Sequence, residues 1–362
     1  MKRKRVVEFD MLKGIGIISV IAGHVAQNYN SLRLMQIFYS FHMPLFFIIA
    51  GYFINARKSV REFCVSRIKT LFKYYIIACL GIIIGHCGIG VLKHYDIFCV
   101  IKELLKWIYI SIYGIGNGKG SVYINRNFQI CHTDEIGMLW FLLALLWAQC
   151  IVRVFVKYSE KKCLIIVGIV TVLGIYSSHL IWLPLSVQNG MAATVWVYIG
   201  FLIKDKEMLV KWKRYRSKDT LLFLCVIFWG ISIVFGCTEL YKNYYKLGII
   251  DIVGAFSGCV VLYYCVEKIK NRNSFFRLQE FLTWIGKNSI YVYIIHYWEQ
   301  KISPNNTVGL LVRRYLGINI YIDFAFSVVI ILCICVLVIK IYEQVLIDYL
   351  KKKRSQQWEI LK

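Results

Sequence analysis

The chain has 362 residues, of which 59% are hydrophobic, with a mean hydropathy of +0.59 and a formal net charge of +24. A water-soluble domain of this size could not hide that much apolar surface, and the apolar residues come in blocks long enough to cross a bilayer core of about 30 Å. The basic residues sit in short links between those blocks, which is the signature of membrane topology and anionic headgroups and excludes a nucleic-acid-binding role.

The N-terminal MKRKRVVEFDMLKG followed by an apolar run looks at first like a signal peptide. It has no small-residue cleavage site, and the run contains His24, so it reads as an uncleaved first helix with a basic flank. Ten candidate spans follow in order, at about 13–30, 36–55, 71–92, 137–155, 163–182, 190–203, 220–237, 247–266, 281–298 and 319–343. The positive-inside rule gives them one consistent alternation. Inside links carry Arg57, Lys58, Arg61, Arg67, Lys69 and Lys73, then Arg153 to Lys162, then Lys204 to Lys218, then Lys268 to Lys287. The outside link 177–190 carries no Lys or Arg, and the link 30–36 only Arg33. Dropping the short sixth span would throw the rich 204–218 link outside, so it is retained. The expected architecture is an all-α polytopic membrane protein of about ten transmembrane helices with both termini cytoplasmic. The span pattern fills residues 1–350, and 351–362 form a basic cytoplasmic tail.

One long link, 93–136, lies outside the spans. Its first part mixes Lys102, Glu103 and Lys106 with apolar residues, as a helix at the membrane interface would. Its second part is polar and carries Gly114, Gly116, Gly118 and Gly120, which read as flexible lining or a lid; no strand precedes them and their spacing is not that of a phosphate loop. Thirteen cysteines form no CxxC pair and mostly lie within apolar runs, as packing residues do. The seven histidines are scattered without an i, i+4 pair, so no metal site is expected.

The chemistry-bearing residues begin in the first span. Lys13 and His24 bracket an apolar segment, and a spacing of 11 residues turns a helix about 20° past three full turns. They therefore share one face, roughly 16 Å apart along the axis, with Asp10 on the same stripe. Ionisable groups on one side of an apolar helix must face protein or a water-filled cavity. The second span contains FHMPLFFIIAGYF, where Pro44 is expected to break or kink the helix and His42 to share a cavity with His24. Arg67 and Lys69 join Lys13 in a basic cluster suited to a phosphate-bearing molecule. Trp140 opens the fourth span, where it fits an interfacial aromatic belt, with Glu135 just outside. In the ninth, Ser289, Tyr293 and His296 make one polar stripe at i, i+4 and i+7.

The Lys-x10-His segment, FHMPLFFIIAGYF, MLWFLLAL and IGKNSIYVYIIH, in that order, resemble acyltransferase family 3 membrane proteins, in the stand-alone fucose-4-O-acetylase-like or polysaccharide O-acetyltransferase branch. The resemblance implies an integral enzyme that moves an acetyl (acyl) group from cytoplasmic acetyl-CoA to a carbohydrate hydroxyl, on a cell-surface polysaccharide or its lipid-linked precursor, in a bacterial plasma membrane. No bound cofactor is implied. Carried onto this chain, it makes His24 and His42 the catalytic pair. Lys13, Asp10, Arg67 and Lys69 bind the donor, and Trp140, Glu135, Ser289, Tyr293 and His296 lie on the acceptor side. Lys13 stands where the family has arginine, and the arginine pair after the second span is met by Arg67 and Lys69 or Thr70. The C-terminal hydrolase-like domain of some relatives is not expected. A transporter or flippase of a lipid-linked sugar is the competing class, because polar stripes and a basic mouth would serve it as well.

Overall fold

The computed structural model describes residues 6–29, 32–116, 120–125, 128–214, 217–302 and 307–360. They form α1 (Val7–Asn28), α2 (Leu32–Tyr39), α3 (His42–Tyr52), α4 (Val60–Leu92), α5 (Ile97–Tyr113), α6 (Trp140–Phe155), α7 (Glu160–Ser177), α8 (Val187–Ala192), α9 (Thr194–Asp205), α10 (Met208–Arg214), α11 (Lys218–Phe235), α12 (Ile249–Lys270), α13 (Phe276–Lys287), α14 (Ser289–Ile302), α15 (Thr307–Tyr315) and α16 (Ile320–Ile360). Two small antiparallel hairpins interrupt them: β1 (Gly120–Asn125) with β2 (Phe128–Thr133), and β3 (Thr238–Glu239) with β4 (Tyr244–Tyr245). The all-α expectation holds.

Each expected span falls on a helix or a broken helix pair. Among the described residues seven helices are long and apolar enough to cross a membrane by length and composition, and an eighth span forms if α8 and α9, bent by 52°, count as one. The other two expected spans are less regular. α7 opens with Glu160, Lys161 and Lys162, and the ninth span is split into α13 and α14 at Asn288. The outer faces of α4, α7, α11 and α16 expose large apolar side chains, such as Ile84, Ile165, Phe223 and Leu337. Such a belt is uphill in water and favourable against lipid. The first part of 93–136 forms a helix, α5, as expected. It is capped by the Asp96 side chain at its start and ends on Gly114 in the left-handed conformation, where a side chain would be strained. Of the glycine run, Gly118 lies outside the described residues.

α1 is the hub: α2, α3, α12, α13, α14 and α16 all pack on it. Its contact with α13 is set by small residues. A Cβ at Gly14 would collide with the Leu282 carbonyl, and one at Gly286 with the Asp10 carbonyl. α3 and α9 approach in the same reciprocal way, through Gly51 against Val197 and Gly200 against Ile48. Apolar burial gives no net drive between helices in lipid, so backbone-to-backbone packing of this kind holds them together.

The chain leaves α3 through residues 53–59, and two cationic side chains satisfy carbonyls of this link. Lys204 Nζ donates to the Ile54 carbonyl at 3.0 Å. The Arg153 guanidinium donates to the Ala56 carbonyl at 3.0 Å and also to that of Lys58. Positive charge just past a helix C-terminus also complements the dipole. Two of the basic residues counted for topology are therefore structural. α4 then restarts on a capping box between Ser59 and Glu62.

Gly286→Val is expected to abolish accumulation of folded protein in membranes. Gly230→Ala, at a helical glycine with nothing within 4 Å of a built Cβ, is expected to leave it unchanged. Size-exclusion profiles of the two variants in mild detergent check this, and equal monodisperse peaks would contradict it.

Candidate active site

Two cavities lie end to end along the Lys13–His24 face of α1. The first, of about 250 Å³, is at the basic end and is lined by Lys13, Arg67, Gln149 and Ser289 among apolar residues of α1, α3, α4, α6 and α14. The Lys13 ammonium is held by Asp10 Oδ1 at 2.8 Å, three residues back on the same stripe. The Arg67 guanidinium lies 5.7 Å from the Phe63 ring centroid, within cation–π range.

The second cavity, of about 160 Å³, lies at the opposite end of the same stripe. Its walls include His24 and Gln27 from α1, Tyr39 from α2, His42 from α3, Trp140 from α6, and Gln300 and Lys301 from α14. The two cavities share three wall residues, Val20, Met43 and Tyr293. Lys13, Ile17, Val20 and His24 therefore form one continuous edge that passes from the first cavity into the second.

The histidines are held by definable contacts. His42 Nδ1 lies 2.6 Å from the Phe38 carbonyl, an acceptor only, so Nδ1 carries the proton and Nε2 is left bare. α3 begins at His42 itself, so Pro44 occupies the first helical turn, where a missing N–H costs nothing. The break expected at the proline falls earlier, at Ser40–Phe41, and it is this break that swings Tyr39 and His42 together. His24 Nδ1 meets the Gln300 amide at 3.3 Å, a group that can serve either imidazole tautomer. The His24 ring lies 6.2 Å from that of Tyr39 and 5.8 Å from that of His296.

α14 also holds the roof. The Tyr297 hydroxyl donates to the Ile136 carbonyl at 2.9 Å, and the Tyr293 hydroxyl donates to that of Met138. The Ile136 N–H donates in turn to the Ile115 carbonyl. On the other side Asn189 Nδ2 donates to the Leu240 and Tyr241 carbonyls, which fixes the turn that brings Thr238 and Tyr241 to the cavity wall. Burial pushes the Tyr241 phenol above its ordinary range, so it is a proton donor at neutral pH. At the mouth Lys301 faces Glu135 at 3.8 Å, and the hydrogen bond from Lys106 to Asp134 raises the lysine above its usual value.

The expected site residues sort as follows. His24, His42, Trp140, Glu135 and Tyr293 line the second cavity together, and Lys13, Arg67, Ser289 and again Tyr293 line the first. Ser289 thus faces the basic cavity, apart from Trp140 and Glu135. Lys69 is exposed on the outer side of α4 and lines neither cavity. Trp140 is buried against Gly116, so it is a cavity wall and not a member of an interfacial belt. His296 lies behind His24, not on the cavity surface. Tyr39, Tyr241, Thr238, Gln300 and Lys301 were not singled out from sequence. For Gln300 a signal existed, because the stripe Ser289, Tyr293, His296 continues to it at i+11. Thr238 and Tyr241 come from the short β3–β4 hairpin, which carries no periodic signal.

A family model described as an acyltransferase domain (Acyl_transf_3) matches residues 6–340, and the chain belongs to this family. It is a membrane acyltransferase. No curated protein and no solved structure matches it.

In a cysteine-free background, Glu135→Cys is expected to react with a membrane-impermeant maleimide in intact cells, and Ser289→Cys only after the cells are opened. Labelling of both from one side would contradict the topology expected from the basic links.

Proposed function

We propose that this protein is an O-acetyltransferase that carries an acetyl group from cytoplasmic acetyl-CoA to a carbohydrate hydroxyl, with one substrate in each cavity. The observation that carries the reading is the pair of cavities on the Lys13–His24 face, one basic and one polar and aromatic, meeting at Val20, Met43 and Tyr293. Lys13 and Arg67 bind the donor's phosphates, Lys13 as a point charge and Arg67 through its planar fork. The pantetheine arm lies along Ile17 and Val20, and its thioester reaches His24 roughly 16 Å up the helix. Trp140 and Tyr241 offer flat faces to a sugar ring, and His42 offers its bare Nε2 to a hydroxyl hydrogen.

His24 acts as general base. The acceptor O–H bond breaks and its proton goes to His24, while the oxygen forms a bond to the acetyl carbon. The carbon–sulfur bond then breaks, and the coenzyme A thiolate takes the proton. The acceptor is a surface polysaccharide or its lipid-linked precursor in a bacterial plasma membrane, as in the fucose-4-O-acetylase-like branch. Passage of a whole sugar through the protein, as a flippase requires, is opposed by the apolar and aromatic partition between the cavities.

His24→Ala is expected to lower acetyl-CoA-dependent acetylation by about 10²–10⁴-fold at equal membrane abundance, the usual contribution of a general base. Arg67→Ala is expected to raise the KM for acetyl-CoA several-fold with a smaller effect on kcat. Acetyl content of extracted surface polysaccharide, measured by mass spectrometry beside membrane-vesicle kinetics, checks both. Undiminished acetylation in the His24→Ala strain would refute the proposal.

A further inference from the structure

We propose that His296 and Glu299 act behind His24 as a positioning pair that stabilises the imidazolium formed when His24 takes the acceptor proton; the inference rests on the acyl-transfer reading above. His296 is 2% exposed, and its Nδ1 lies 3.1 Å from Glu299 Oε2. A carboxylate only accepts, so the proton sits on Nδ1 and leaves Nε2 as a lone pair. That Nε2 is buried and has no hydrogen-bond partner among the described residues. A buried acceptor left without a donor costs about 1–3 kcal/mol, and this one is carried directly beside the proposed base.

The ring beside His296 is His24, 5.8 Å between centroids. Gln300, one turn further along α14, already meets His24 Nδ1 at 3.3 Å, so α14 addresses this edge of the His24 ring with both residues. Neutral His24 has one N–H. After it takes the hydroxyl proton it has two, one towards the reacting oxygen and one towards the α14 side. The new N–H forms on the nitrogen that faces the reacting oxygen, while the N–H on the α14 side, which neutral His24 already carries, becomes the stronger donor; His296 lies on that side, and the Glu299 charge behind it offsets the positive charge that has formed. When the thiolate removes the proton, His24, His296 and Glu299 return to their starting states, so nothing is consumed. The stabilisation exists only once charge has developed, and such an interaction raises kcat without tightening substrate binding.

The test measures coenzyme A formed from acetyl-CoA by membrane vesicles that carry their native acceptor, resolved into kcat and KM. Glu299→Gln, which keeps the shape and removes the charge, is expected to lower kcat by about tenfold or more with KM for acetyl-CoA unchanged. Glu299→Asp is expected to recover part of the loss. In a His24→Ala background Glu299→Gln is expected to cost nothing further, because residues acting as a unit are not additive. Wild-type kcat in Glu299→Gln, or a full additional loss in the His24→Ala background, overturns the inference. Should Glu299→Gln fail to accumulate, His296→Gln supplies the same comparison. If the unaltered protein forms no coenzyme A, the acyl-transfer reading falls, and this inference with it; activity with an indifferent Glu299 removes this inference alone.

Discussion

An ionisable side chain within the apolar thickness of a membrane has to be given a polar neighbour, and the placement of α1 follows from that requirement. α1 carries Asp10, Lys13 and His24 on one face, and six helices close around it. The carboxylate of Asp10 answers Lys13, and the polar positions of α14 answer His24. The glycines at 14 and 286 let α13 approach close enough to cover the basic half of the helix. Without that enclosure each of these groups would face lipid at a cost of several kcal/mol. The same enclosure leaves a gap along the stripe, because long polar side chains do not fill space as aliphatic ones do. The two cavities are that gap.

The arrangement also separates two chemical environments with little material. Val20, Met43 and Tyr293 come from three helices, and only the tyrosine is polar. Its hydroxyl is committed to the Met138 carbonyl, so the ring stands as a fixed panel between the cavities. On one side stand Lys13 and Arg67, which suit phosphate. On the other stand imidazoles, phenols and an indole, which suit a hydroxylated ring. The transfer chemistry requires contact only at a single carbonyl carbon, and a narrow partition permits that much.

Much of this was legible in the sequence because lipid imposes a strong filter. Apolar blocks, basic links and the phase of Lys13 against His24 all follow from the cost of placing polar groups in hydrocarbon, and that cost is read directly from residue type and spacing. Broken helices were less legible. The ninth span was expected as one helix, yet Asn288 divides it, and the break turns Ser289 to the basic cavity and leaves His296 behind His24. Trp140 shows another limit: an aromatic at the end of a span fits an interface as well as a buried wall, and Gly116, which receives it, is far off in sequence. The basic links were over-read in one respect. Arg153 and Lys204 sit where topology puts positive charge, but their heads are tied to carbonyls of the link between α3 and α4. Lys69, two residues from Arg67, points out of the bundle because adjacent helical positions differ by about 100°.

α14 touches the site three times, and each contact has a different consequence. Tyr293 closes the space between the cavities, Tyr297 ties down the strip of chain above the second one, and His296 with Gln300 attends His24. One rigid rod thus carries the partition, the cover and the neighbours of the base. A tilt of α14 large enough to lift the cover would draw Gln300 away from His24 and shift the partition in the same stroke. On the acyl-transfer reading, admission of an acceptor and readiness of the base are on that account geared together.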